Sequence, residues 1–237
     1  MKRVVYLVID QLAGHWEEGV RIEGTDLPPA NVKGYHELGL IPNFSHLIEN
    51  GLWVKRPWNK GQCQTACETA CGMKYLANGS YLGEKACYDG SYKRPWYIES
   101  EKHMGFFEFA KRHYGEKLTA GIFSCSPWLS KGHFYVPEFM HGMVSGYADE
   151  TMLREFALPW MARLDNPEIP LTWNLVHIYF PVMDAIGHSG APSYGPPNSD
   201  PRSSKHSYLL FLDGLVGEIT EYLNKAGIWD ETCFVIA

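Results

Sequence analysis

The chain has 237 residues, 45% hydrophobic and 20% charged, with a formal net charge of -6. That length can bury a sizeable core, and the composition is that of an ordinary globular protein. The negative balance, with no cluster of Lys and Arg, excludes a surface for duplex nucleic acid, whose phosphates need concentrated positive charge.

The first apolar run, Val4-Val5-Tyr6-Leu7-Val8-Ile9, is too short for a signal peptide or a membrane helix. The expectation is a cytoplasmic protein with no membrane association, whose six cysteines are free thiols. The run is continuous and β-branched, as in a central parallel strand buried on both faces. It stops at Asp10, a carboxylate at the strand end where open α/β sheets bind ligands. A plain turn cap is the equal alternative for Asp10.

Residues 15–40 read as loop, punctuated by Gly19, Gly24, Pro28, Pro29, Gly34 and Gly39. Residues 41–51 read as a helix: Pro42 suits its first turn, Phe44, Leu47 and Ile48 share a face, and Gly51 suits its stop. Residues 52–56 read as a second strand. Thr65 with Glu68 three positions on is a capping box that opens a helix over 66–77, closed by Asn78-Gly79. The Thr65 hydroxyl serves as a cap, or faces a phosphoryl oxygen bound at the helix N-terminus. Cys63, Cys67 and Cys71 are spaced by four, and a stripe of small buried residues is favoured over a thiolate metal site.

Residues 80–147 are rich in aromatics and glycine. One helix (103–114) and one strand (118–123) are expected there within long loops, which makes the region a candidate cap or insert facing substrate. His133 and His141 within it read as surface or packing histidines. Residues 149–164 read as a helix kinked or split at Pro159.

A strand over 173–180 then ends at Pro181, followed by Asp184 and His188. A strand with a short loop can aim two such ligands at one ion, and zinc accepts mixed oxygen and nitrogen donors. The alternative is an Asp turn and a surface histidine. A Gly/Pro/Ser stretch, 189–204, leads to an amphipathic helix over 205–226 with Leu209, Leu212, Val216, Ile219 and Leu223 on one face. A last buried strand spans 231–237. Strands alternating with helices predict right-handed crossovers and a mostly parallel sheet.

Four segments in order resemble the alkaline-phosphatase superfamily, most closely its nucleotide pyrophosphatase/phosphodiesterase branch. They are the opening strand with Asp10; Ile41-Pro42-Asn43-Phe44 through Glu49-Asn50-Gly51; the Thr65 helix; and Asp184-x-x-Gly187-His188 with Tyr194-Gly195-Pro196 after it. The resemblance implies one three-layer α/β/α domain over residues 1–237. It implies a hydrolase of small-molecule phosphodiesters or nucleotide pyrophosphates with two divalent metal ions, zinc or else manganese. Asp10 would bind one metal, Asp184 and His188 the other, and a threonine bridging them would be the nucleophile. Thr65 is preferred for that role, with Thr69 the alternative from its spacing to Gly79 and Tyr81.

The Cys-x-Pro-Ser-Arg signature of sulfatases is absent. In the family the last strand runs into Ser/Thr-Asp-His-Gly, whereas here Val235-Ile236-Ala237 close the sequence. The expectation is therefore the N-terminal part of a longer protein, C-terminally truncated, inactive alone and with neither metal site complete. A sulfatase-like or phosphonate hydrolase of the same superfamily, or a non-catalytic ligand-binding domain of that fold, is the alternative.

Overall fold

A computed structural model describes residues 2–54, 106–125, 139–141, 148–166, 168, 172–195 and 200–237. Among these residues, five strands form one sheet: β1 (Arg3–Ile9), β2 (Ala120–Ser124), β3 (Phe139–His141), β4 (Leu175–Phe180) and β5 (Thr232–Ile236). Their order is β3-β2-β4-β1-β5, and every neighbouring pair is parallel. The expected α/β class with a parallel sheet is present, and β1 is interior.

Alternation along β1 feeds two cores, because successive side chains of a strand point to opposite faces. Val5, Leu7 and Ile9 join Val176, Ile178 and Phe180 in the larger cluster. Val8 joins Ile122, Leu175, Tyr179 and Phe107 in the smaller one. Helix α3 (Phe106–Tyr114) supplies Phe107 to the smaller core. The larger core takes its cover from α1 (Val32–Glu37), α2 (Pro42–Asn50) and a 21-residue helix, Lys205–Lys225, numbered α7 below. Its Leu209, Leu212, Val216, Ile219 and Leu223 are all fully buried, the stripe expected from the sequence.

Helix α2 has no side-chain cap of its own. Asp213 of the long helix caps it from outside: its carboxylate accepts from the Asn43 and Phe44 backbone N–H groups at 3.3 and 2.9 Å and from Asn43 Nδ2 at 2.9 Å. Gly217, one turn on, lets Asn43 approach, because a Cβ there would lie 2.7 Å from Asn43 Oδ1.

Several expectations are corrected. Residues 15–40 are not all loop, since Asn31 caps α1 by accepting from the Gly34 N–H at 2.7 Å. Gly34 inside so short a helix weakens its signal. Residues 52–54 form no strand: Leu52 is 92% exposed and none of the five strands pairs with them. The strand over 173–180 begins only at Leu175. The short β3 lies in a region read as loop.

Pro159 does not split its helix. α4 (Asp149–Thr151) runs through a π-helical stretch, Met152–Ala157, into α5 (Leu158–Leu164). The Leu158 N–H reaches back five residues to Leu153. The wider turn accommodates a residue that lacks an N–H and whose ring crowds the preceding turn. The expected Thr65 helix, Thr69, Cys63, Cys67, Cys71 and His133 lie outside the described residues, as does most of the 80–147 region.

The N-terminal edge of the sheet is closed by charge pairing. Asp165 accepts from Arg3, from Trp173 Nε1 at 3.1 Å and from the Tyr222 hydroxyl. Arg3 also lies over the Trp173 ring, 4.8 Å from its centroid. The C-terminal edge is built differently.

Candidate functional site

β1 and β4 lie side by side with Ile9 opposite Phe180, so whatever follows each strand starts from one edge. Asp10 follows Ile9, and its backbone N–H donates to the Phe180 carbonyl at 3.0 Å. On the other flank, the Ile9 N–H donates to the Ala237 carbonyl at 3.0 Å. Asp10 is thus held between the ends of β4 and β5, the position at which open parallel sheets receive ligands.

After β4 the chain was expected to form a short loop, and here the structure corrects the sequence. Pro181 leads directly into α6 (Val182–His188). Asp184 sits in its first turn and His188 in its last, where a carboxylate and an imidazole each complement the helix dipole. Their spacing of four places them on one helical face, with His188 Nε2 3.3 Å from Asp184 Oδ1. A helix achieves the convergence expected of the loop, since residues four apart on one face can share an ion.

Asp184 and Asp10 sense each other. Burial raises the Asp184 carboxyl above its ordinary range, and the negative charge of Asp10 raises it further. His188, a hydrogen bond from Gln11 and the charge of Lys205 pull it back. Tyr179, the last but one residue of β4, donates its hydroxyl to Asp10 Oδ2 at 2.6 Å. Burial, then the charge of Asp10, drives that phenol far above the ordinary tyrosine range, so it stays a neutral donor. Asp10 thus directly follows β1, and Asp184 and His188 lie on the helix that follows the neighbouring β4, near enough for the Asp10 charge to reach the Asp184 carboxyl.

Two further residues complete the rim. Gln11 is in the left-handed region at φ 59°, an uncommon conformation for a residue with a side chain. Its Oε1 accepts from Lys205 Nζ at 3.2 Å. Both lie over Gly187: a Cβ there would collide with Gln11 Oε1 and come within 3.0 Å of Lys205 Nζ. The glycine of Asp184-x-x-Gly187-His188 is thus required for a close approach and not for an unusual backbone.

Beneath the rim, Asp149 is fully buried. It accepts from the Tyr208 hydroxyl at 2.7 Å, from Cys125 Sγ at 3.4 Å and from the Val182 N–H that opens α6. Desolvation pushes its carboxyl up to about 7, against the pull of these donors. The same burial pushes the Cys125 thiol up to about 12, which leaves it a poor nucleophile.

Asp10, Asp184 and His188 are the residues here that could ligate a cation. Two carboxylates that repel one another and an imidazole within reach of one of them match the ligands of a borderline divalent ion. Among the described residues, no group of three or more His, Cys, Asp or Glu side chains is drawn together closely enough to enclose one. Thr65 and Thr69 lie outside those residues. Also among the described residues, no helix is long and apolar enough to cross a membrane.

No family model matches the chain, and no curated protein matches it. Sequence reasoning singled out Asp10, Asp184 and His188 and did not single out Tyr179, Gln11 and Lys205, which touch or adjoin them in the fold. Tyr179 carried a signal, because a buried tyrosine hydroxyl needs a partner. Lys205 carried none, being 194 positions from Gln11.

Proposed function

We propose that the chain belongs to a metal-dependent hydrolase of phosphate esters, cleaving phosphodiester or nucleotide pyrophosphate bonds, with the three-layer α/β/α architecture of the alkaline-phosphatase superfamily. The observation that supports this reading is that Asp10 directly follows β1 while the paired Asp184 and His188 lie on the helix following the adjacent parallel strand β4. Asp10 would hold one divalent cation and Asp184 with His188 a second, with zinc the first choice and manganese the alternative. Bound there, the ions would acidify the nucleophilic hydroxyl and polarise the phosphoryl oxygen. Thr65, or else Thr69, would supply that hydroxyl and carry the phosphoryl group before water releases it.

The described residues have defined tasks in this scheme. Tyr179 fixes the orientation of the Asp10 carboxylate. α6 presents Asp184 and His188 on one face, and Asp149 anchors the first N–H of that helix.

The test pairs metal analysis with hydrolysis of an aryl phosphodiester, run on the protein of the complete reading frame. Bound metal, with hydrolysis reduced by at least about a hundredfold in Asp184→Ala and Thr65→Ala, is expected. A protein that takes up no divalent metal and turns over no ester would instead be a non-catalytic domain of this fold.

A further inference from the structure

We infer that Lys205, held by Gln11 over Gly187, is the group that contacts the oxyanion of the substrate at this rim. The inference rests on the hydrolase reading and adds a residue to it. Three observations carry it. Gln11 keeps a left-handed backbone at φ 59°, a conformation disfavoured for a residue with a side chain. Its side chain uses that conformation to bridge the site: it hydrogen-bonds to Asp184 and accepts from Lys205 Nζ at 3.2 Å. Gly187 clears the space that both need.

Lys205 is also fixed from its other end. It is the first residue of α7, its backbone N–H donates to the Pro192 carbonyl at 3.3 Å, and Ser204 caps the helix behind it. The ammonium sits on Gln11, and its charge reaches the Asp184 carboxyl and offsets part of the repulsion from Asp10. An ammonium has three donors, and Gln11 Oε1 takes one of them. Once cations neutralise the carboxylates, the ammonium is placed to pair with a phosphoryl or sulfuryl oxygen through charge-assisted hydrogen bonds. A substrate of this site is thus an oxyanion with at least one non-bridging oxygen on the Lys205 side.

The test titrates the 237-residue chain with inorganic phosphate, without metal and with added Mn2+, following the lysine ammonium signals by NMR. Phosphate binding is expected to weaken about tenfold or more in Lys205→Ala, the loss of one charge-assisted contact. Metal uptake should be unchanged. Lys205→Arg should retain part of the affinity. Gln11→Gly relaxes the backbone and removes only the side chain, so its weaker binding would isolate the positioning role.

Equal phosphate affinity in the parent chain and Lys205→Ala, or no binding to the parent chain under either condition, overturns the inference. Phosphate binding through Lys205, combined with no metal uptake and no ester hydrolysis by the protein of the complete reading frame, instead refutes the hydrolase reading and leaves the oxyanion contact standing.

Discussion

A single carboxyl can reveal how a rim is wired. Asp149 is fully buried, and desolvation lifts its carboxyl to about 7. In the unfolded chain it titrates near 3.9. Between those values the folded protein holds the extra proton, so this group's contribution to stability is complete below about pH 4 and is lost as pH rises toward 7. Asp149→Asn, which cannot ionise, should flatten that component. Denaturant midpoints at pH 5 and pH 8 check it, and the advantage of the parent chain over the variant should shrink at the higher pH. A difference independent of pH would place the carboxyl in its ordinary range. At this scale Asp10 was legible, because an acid closing a continuous β-branched run is a recognisable pattern. Asp149 was read only as a helix start. Nothing in the sequence shows that Tyr208 and Cys125, far along the chain in both directions, close over it.

Secondary-structure elements were the most legible level, and their ends the least. The long helix over 205–226 was anticipated almost to the residue, because five apolar side chains recur on one face. The segment after β4 was read as loop because a proline followed by Asp, Gly and His gives no periodicity, yet Pro181 merely precedes the first turn of α6. Helix α2 shows why caps escape local reading: its cap, Asp213, comes from another helix 169 positions away from Phe44. Asp213→Ala leaves the buried Phe44 N–H and the half-buried Asn43 N–H without that acceptor and should destabilise the fold by about 1–3 kcal/mol. Urea unfolding monitored by circular dichroism would show it as a lower midpoint at unchanged slope. An unaffected midpoint would mean that water replaces the carboxylate at α2.

Across the whole molecule, the alternation of strands and helices gave the parallel sheet, whereas the strand order depended on contacts that no local pattern encodes. That order carries the functional reading. With β1 between β4 and β5, Asp10 faces the start of α6 on one side and the end of β5 on the other. The opposite edge satisfies its charges with Arg3 and Asp165, while this edge sets two carboxylates against each other. The proposed phosphoesterase reading needs Asp10, Asp184 and His188 at one edge, and it is supported by Asp10 directly following β1 while α6 follows the neighbouring β4. The most direct measurement is anomalous diffraction at the zinc edge from crystals grown with zinc. The account predicts a peak at the C-terminal rim about 2.0–2.2 Å from the Asp184 carboxylate and from a ring nitrogen of His188. Zinc found only elsewhere on the molecule, with Asp184 and His188 still paired to each other, would contradict it.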